Sequence, residues 1–136
     1  SVISVQEVPP EQTSSYGIVA APNFTGRFGV IEQIVEKPKP EVAPSNLAVV
    51  GRYVLSGDIF PILEKTRGGA GGEIQLTDAI SQLLKQDKVL AYQFEGRRFD
   101  CGTRIGLIEA TIRYALDNDD LADEARAYMQ AALAEK

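Results

Sequence analysis

The chain contains no histidine and a single cysteine, Cys101. Without histidine it cannot build a histidine-dependent triad or a histidine-ligated metal site of its own. One cysteine cannot close an internal disulfide, which fits a reducing, cytoplasmic setting. With no imidazole to activate it, Cys101 is expected to be a small buried residue, not a nucleophile. Basic residues are the minority, 14 against 19 acidic for a net charge of −5, and they form no run. That balance argues against a nucleic-acid-binding face. No apolar run is long enough to span a bilayer, and the first residues lack the charged start of a signal peptide, so no membrane partner is expected. An initiator methionine is missing too. The chain opens directly on the alternation Ser1-Val2-Ile3-Ser4-Val5 and reads as a piece of a longer protein.

What remains is an ordinary globular composition: 136 residues, 44% of them hydrophobic, enough for one domain with a real core. Val2, Ile3 and Val5 pattern a strand leading to Glu7. Pro9-Pro10 opens a loop, and Tyr16 to Ala20 begins a second strand. Pro22 to Gly26 reads as a hairpin turn returning into a strand-like run from Phe28 to Val35. The run from Leu47 to Leu55 is apolar nearly throughout, which suits a strand covered on both faces. Ser56 and Asp58 can start a short helix reaching Lys65, with Pro61 in its first turn. Gly68-Gly69-Ala70-Gly71-Gly72 follows that helix and lacks a phosphate-loop pattern, so it is expected to be a mobile connection.

Leu76, Ala79, Ile80, Leu83 and Leu84 recur at helical spacing, with Thr77 and Asp78 favouring the helix start. Val89 to Phe94 is a strand. Ile105, Ile108, Ile112, Ala115 and Leu116 give the buried stripe of another helix, Asp117 to Asp120 break it, and Leu121, Ala125, Tyr128, Met129 and Ala132 pattern a last one. Strands come first and helices last, with both mixed between. That order predicts an α/β fold with a mixed sheet.

Three places carry groups suited to a ligand. The first is Val35-Glu36-Lys37-Pro38-Lys39-Pro40, where a strand delivers an acid and a base and proline then stops it. A carboxylate can accept from two neighbouring hydroxyls, and an ammonium can neutralise a phosphate as a point charge, so the pair suits a sugar phosphate. Strict alternation aims Glu36 and Lys37 to opposite faces. Both reach one ligand only if the backbone twists at Pro38 or the ligand lies across the strand tip. The plainer reading is a solvated strand end. The second place is Phe99-Asp100-Cys101-Gly102-Thr103, where Asp100 is either a Mg2+ ligand or the cap of the helix that follows, a role open to Thr103 as well. The third is Gly17, which marks either a bulge or a close approach to the backbone. No local motif is complete for catalysis, and no carboxylates are paired at short spacing.

Taken together, these residues resemble the bacterial UTP–glucose-1-phosphate uridylyltransferases, in their C-terminal half. The resemblance is carried by Tyr16-Gly17-Ile18-Val19, by Val35 to Pro40, by the run 43–55 that opens Ala43-Pro44-Ser45-Asn46, by Gly72-Glu73-Ile74-Gln75-Leu76-Thr77-Asp78-Ala79-Ile80 and by Asp100-Cys101-Gly102, in that order. It implies a Rossmann-like nucleotidyltransferase fold and conversion of UTP and glucose 1-phosphate to UDP-glucose and pyrophosphate with Mg2+. It also implies residue roles. Glu36 would hold glucose hydroxyls, Lys37 the phosphates, Gly17 would offer backbone to the sugar, and Asp100 would be a magnesium-associated aspartate.

Glu73 to Asp78 receives no chemical role from the resemblance and is expected to be structural. The family's glycine-rich nucleotide loop, uridine pocket and first magnesium aspartate belong to an N-terminal half that this chain does not contain. The chain is therefore expected to bind glucose 1-phosphate or UDP-glucose, to need that missing half for turnover, and to form a homo-oligomer. Two alternatives remain open: another sugar-1-phosphate nucleotidylyltransferase, such as a thymidylyl enzyme, and a non-catalytic oligomerisation or regulatory module with Glu36 and Lys37 as surface charges.

Overall fold

A computed structural model describes residues 1–68 and 72–135. The centre of the glycine run, residues 69–71, lies outside the described residues. The chain forms two compact units, Ser1–Glu95 and Gly96–Lys136.

The first unit is a sheet with two helices against one face. Its strands are β1 (Val2–Glu7), β2 (Gly17–Ala20), β3 (Phe24–Thr25), β4 (Phe28–Val30), β5 (Gln33–Glu36), β6 (Leu47–Val54) and β7 (Leu90–Gln93). They lie in the order β3-β4-β7-β1-β6-β2-β5. β1 runs parallel to β7, and the other pairs are antiparallel, so the sheet is mixed as expected. Ile3, Val5, Val19, Ile34, Val49 and Ala91 line the face covered by α1 (Ile59–Lys65) and α2 (Leu76–Leu83). Ile59 and Ile62 of α1 and Ala79, Ile80 and Leu83 of α2 complete this core. A smaller cluster of Val8, Ile18 and Ala48, with Tyr16 against it, occupies the other face.

The run Phe28 to Val35 is not one strand. Val30 pairs with Leu90 on β7, whereas Gln33 pairs with Ala20 on β2. Between them the Ile31 N–H donates to the Val89 carbonyl and the Glu32 N–H to the Ala20 carbonyl. β4 and β5 stand five places apart in the sheet, which would be about 24 Å if the sheet were flat. The three peptide steps from Val30 to Gln33 reach only about 10 Å. The sheet therefore curls back on itself, and this crossing puts β5 at its edge beside β2.

β6 is buried over Ala48 and Val49 but exposed from Gly51 onward, so the expectation of a strand covered on both faces fails for its second half. The reason is a bulge. Val5 pairs with Val49 and Ile3 with Tyr53, which leaves residues 50–52 opposite Ser4 alone, and Gly51 takes φ 77. The extra residues re-aim the strand.

The second unit holds α3 (Arg104–Leu116) and α4 (Ala122–Ala134), separated at Asp117 to Asp120 as the sequence predicts. The expected buried stripe of α3 is overturned. Ile105, Ile108 and Ile112 are exposed, and the residues α3 buries are Gly106 and Ala110. Helical spacing puts those isoleucines on one face, but the side of α3 that is buried carries small residues, with Gly106 set against the Asp100 carbonyl. No helix among the described residues is long and apolar enough to cross a membrane.

Candidate functional site

β5 delivers Glu36 to the sheet edge, on the same face as Ile34 and toward α2. The chain then leaves the extended conformation at Lys37, which takes φ 44. The turn thus comes one residue earlier than Pro38. It is held from both sides: the Lys37 N–H donates to the Tyr16 carbonyl at 2.9 Å, and buried Thr13 approaches the Pro38 carbonyl at 3.4 Å. This left-handed residue resolves the alternation problem. The Lys37 ammonium swings to 3.8 Å from Glu36 Oε1. That separation is at the outer edge of an ion pair, and the Lys37 side chain is 60% exposed, so the pair binds its own members weakly. Its charges stay available to a ligand.

The other oxygen of Glu36 is engaged. Thr77 Oγ1 of α2 donates to Glu36 Oε2 at 2.5 Å. Gly17 is what makes room for this bond. A Cβ there would stand 3.2 Å from Glu36 Oε2 and 3.3 Å from Thr77 Oγ1, tighter than ordinary contact. The bulge reading of Gly17 does not hold, since Gly17 pairs with Glu36 and Ile18 with Val35 in unbroken register. Tyr53 on β6 also belongs to this neighbourhood. Although the residue as a whole is 37% exposed, partial desolvation of its phenol pushes the pKa above the ordinary 10.0, and the Glu36 charge pushes it the same way.

Thr77 and Tyr53 are the residues that sequence reasoning missed here. Thr77 was expected to favour the helix start, but α2 has no side-chain cap bond and its N-cap position is Gln75. A signal for its role existed. Thr77 lies on the helix face of Ile80 and Leu84, three and seven residues on, and a hydroxyl on a buried stripe must find a partner. Ser45, in the Ala43 to Asn46 segment, is structural: its hydroxyl donates to the Val19 carbonyl and accepts from the Leu47 N–H.

Asp100 belongs to the second unit. The helix there is capped by Thr103, whose Oγ1 accepts from the Gly106 N–H at 3.1 Å. Asp100 is therefore not the cap. Its Oδ1 accepts from the Gly102 N–H at 3.1 Å, its Oδ2 lies 3.9 Å from Arg98, and the residue is exposed. Cys101 beside it is exposed, not buried as expected, because it sits in the turn ahead of α3. Among the described residues no three acidic, cysteine or histidine side chains cluster to hold a metal. Neither of two surface cavities on the sheet, of about 280 and 330 Å³, is lined by Glu36 or Lys37, though Tyr53 lines the larger of the two.

Residues 1–116 match the model of the family described as nucleotidyl transferase. The chain belongs to that family. It is 52% identical over 111 residues to a UTP–glucose-1-phosphate uridylyltransferase of Pseudomonas aeruginosa, covering 82% of this chain and 40% of the relative. It is 46% identical over 133 residues to the enzyme of the same name from Bacillus subtilis, covering 98% and 46%. Within the nucleotidyl transferases it is similar to enzymes named UTP–glucose-1-phosphate uridylyltransferase. A UDP-glucose pyrophosphorylase solved in complex with UDP-glucose superposes with a TM-score of 0.81 at 44% identity, over 86% of this chain and 44% of that one. A UTP-bound enzyme of this type from Acinetobacter baumannii gives 0.82 at 40%, over 95% and 44%. A glucose-1-phosphate thymidylyltransferase from Bacillus anthracis is more distant, at 0.60 and 27%. The chain spans less than half the length of the relatives it matches. Nucleotidyltransferases of this family generally use a divalent metal.

Proposed function

We propose that this chain is the C-terminal, sugar-binding portion of a longer nucleotidyltransferase that makes UDP-glucose and pyrophosphate from UTP and glucose 1-phosphate. The observation that carries the reading is the turn at Lys37, which sets an exposed ammonium beside a carboxylate with one oxygen still open. In this reading Glu36 accepts from glucose hydroxyls, Lys37 offsets the charge of the phosphates, and Gly17 borders the sugar. An oxygen of the sugar phosphate attacks the α-phosphorus of UTP, the bond to the β-phosphate oxygen breaks, and pyrophosphate leaves. The work of these residues is positioning and charge neutralisation.

We assign Mg2+ as the divalent ion and Asp100 as this chain's contribution to holding it. An exposed carboxylate whose Oδ1 accepts from the Gly102 N–H and whose Oδ2 lies 3.9 Å from Arg98 supports that role, since magnesium takes one or two carboxylates and completes its shell with phosphate oxygens and water. When bound, the ion would neutralise phosphate charge. The homo-oligomer and the cytoplasmic setting expected from the sequence belong to the same proposal. Light scattering that finds the longer protein a clean monomer counts against the oligomer.

The deciding assay follows UDP-glucose formation. The longer protein should form it from UTP in preference to dTTP, whereas the 136-residue chain alone should form none above a Glu36→Ala control. Preference for dTTP would favour the thymidylyl alternative. Turnover by the chain alone would overturn the split of the site.

A further inference from the structure

We propose that Thr77 is a positioning residue for Glu36, acting through the space that Gly17 leaves open; this rests on the sugar-phosphate reading above. The terminal torsion of a glutamate is broad, so a carboxylate at a strand end does not hold one orientation unaided. Thr77 supplies the constraint. Its helix is anchored in the core by Ala79, Ile80 and Leu83, and Thr77 itself is buried. A threonine hydroxyl has one proton to donate, and here it goes to Glu36 Oε2. At 2.5 Å the bond has the length of a hydroxyl donating to an ionised carboxylate. Oε2 is thereby fixed toward the helix, and Oε1 faces the side where the Lys37 ammonium lies. A ligand that offers a hydroxyl and a phosphate meets Oε1 and Nζ in a set arrangement.

Gly17 is the second half of the device. With a methyl group there, 3.2 Å from the acceptor and 3.3 Å from the donor, one of them must shift by a few tenths of an ångström. Gly17→Ala therefore perturbs the bond while keeping both of its partners. That separates geometry from the loss of a group.

The test is steady-state kinetics and direct glucose 1-phosphate binding on the longer protein that carries this chain, with Glu36→Gln, Thr77→Val, Thr77→Ser and Gly17→Ala. Thr77→Val should raise KM for glucose 1-phosphate on the order of tenfold and leave KM for UTP unchanged. Thr77→Ser should restore the parent value, and Gly17→Ala should raise the same KM. An unchanged sugar-phosphate KM in Thr77→Val, an equal rise in both KM values, or failure of serine to rescue would overturn the proposal. If Thr77→Val does not fold, Thr77→Ala decides in the same way, since it too removes the hydroxyl that donates to Glu36 Oε2. Should Glu36→Gln bind glucose 1-phosphate as tightly as the parent, the sugar-phosphate reading itself falls and this inference with it. Binding lost in Glu36→Gln but intact in Thr77→Val and Gly17→Ala overturns the inference alone.

Discussion

The Lys37 ammonium lies 3.8 Å from the Glu36 carboxylate, although alternation carried one residue past the end of β5 would send the two side chains to opposite faces. The left-handed conformation of Lys37, φ 44, makes the difference. For a residue with a Cβ this region costs about 1–2 kcal/mol. It is held by the Tyr16 carbonyl on one side and by the buried Pro38 on the other. Backbone strain of this kind tends to persist where the surroundings over-determine it, and functional sites are such places.

That strain can be separated from the charge. Lys37→Ala removes the ammonium with its methylene stem and keeps the Cβ, and Lys37→Gly removes the Cβ as well. Glycine should recover the left-handed cost, less the chain entropy it adds, for a net gain of roughly 0.5–1 kcal/mol over alanine. Both variants should lose affinity for glucose 1-phosphate to a similar degree. Urea melts and calorimetric titration read the two effects independently. A glycine variant less stable than alanine by roughly 0.5–1 kcal/mol, the chain entropy alone, would show that the turn carries no strain.

Much of the fold is legible in the sequence because it is local. The alternation of Val2, Ile3 and Val5 is a strand, and Leu76 to Leu83 is a helix whose apolar stripe meets the core. What escapes is pairing at a distance. Nothing between Phe28 and Val35 says that Val30 pairs with Leu90 while Gln33 pairs with Ala20, since both halves have strand composition. Periodicity likewise puts Ile105, Ile108 and Ile112 on one face without saying whether anything covers it. In the site, the proline, acid and base are visible as a rim, and so is Gly17 as an anomaly in a strand. The hydroxyl of Thr77, 41 residues beyond Glu36, becomes a partner only once α2 packs on β5.

The phenol of Tyr53 gives a pH signature. Its pKa is raised in the folded protein, chiefly by burial and further by the charge of Glu36. The folded state therefore holds this proton more tightly than the unfolded chain does. The stabilisation is fully present below the ordinary tyrosine value of 10.0 and is lost as pH rises from there through the folded pKa. Urea melts at about pH 8 and about pH 11 should show a larger drop for the parent chain than for Tyr53→Phe. Glu36→Gln should lower the Tyr53 pKa in an ultraviolet titration yet leave it above the ordinary value, because burial remains. A Tyr53 that titrates at the ordinary value in the parent chain would remove both expectations.

The start of α3 decides whether Asp100 is held in place, and it depends on two small groups. The Thr103 hydroxyl accepts from the Gly106 N–H and donates to the Asp100 carbonyl at 3.0 Å. Gly106 packs so close to that carbonyl that any Cβ would run into it. Thr103→Ala removes the cap and should cost about 1 kcal/mol, seen as faster amide exchange at Gly106 and Leu107. Gly106→Ala leaves the cap residue in place but drives a methyl group into backbone that cannot rotate away. It should cost about 1–3 kcal/mol and loosen the turn from Asp100 to Thr103 even though alanine is the better helix former. If alanine at 106 instead slows exchange along α3, helix propensity outweighs the close approach, and the turn carrying Asp100 is less tightly built than its hydrogen bonds indicate.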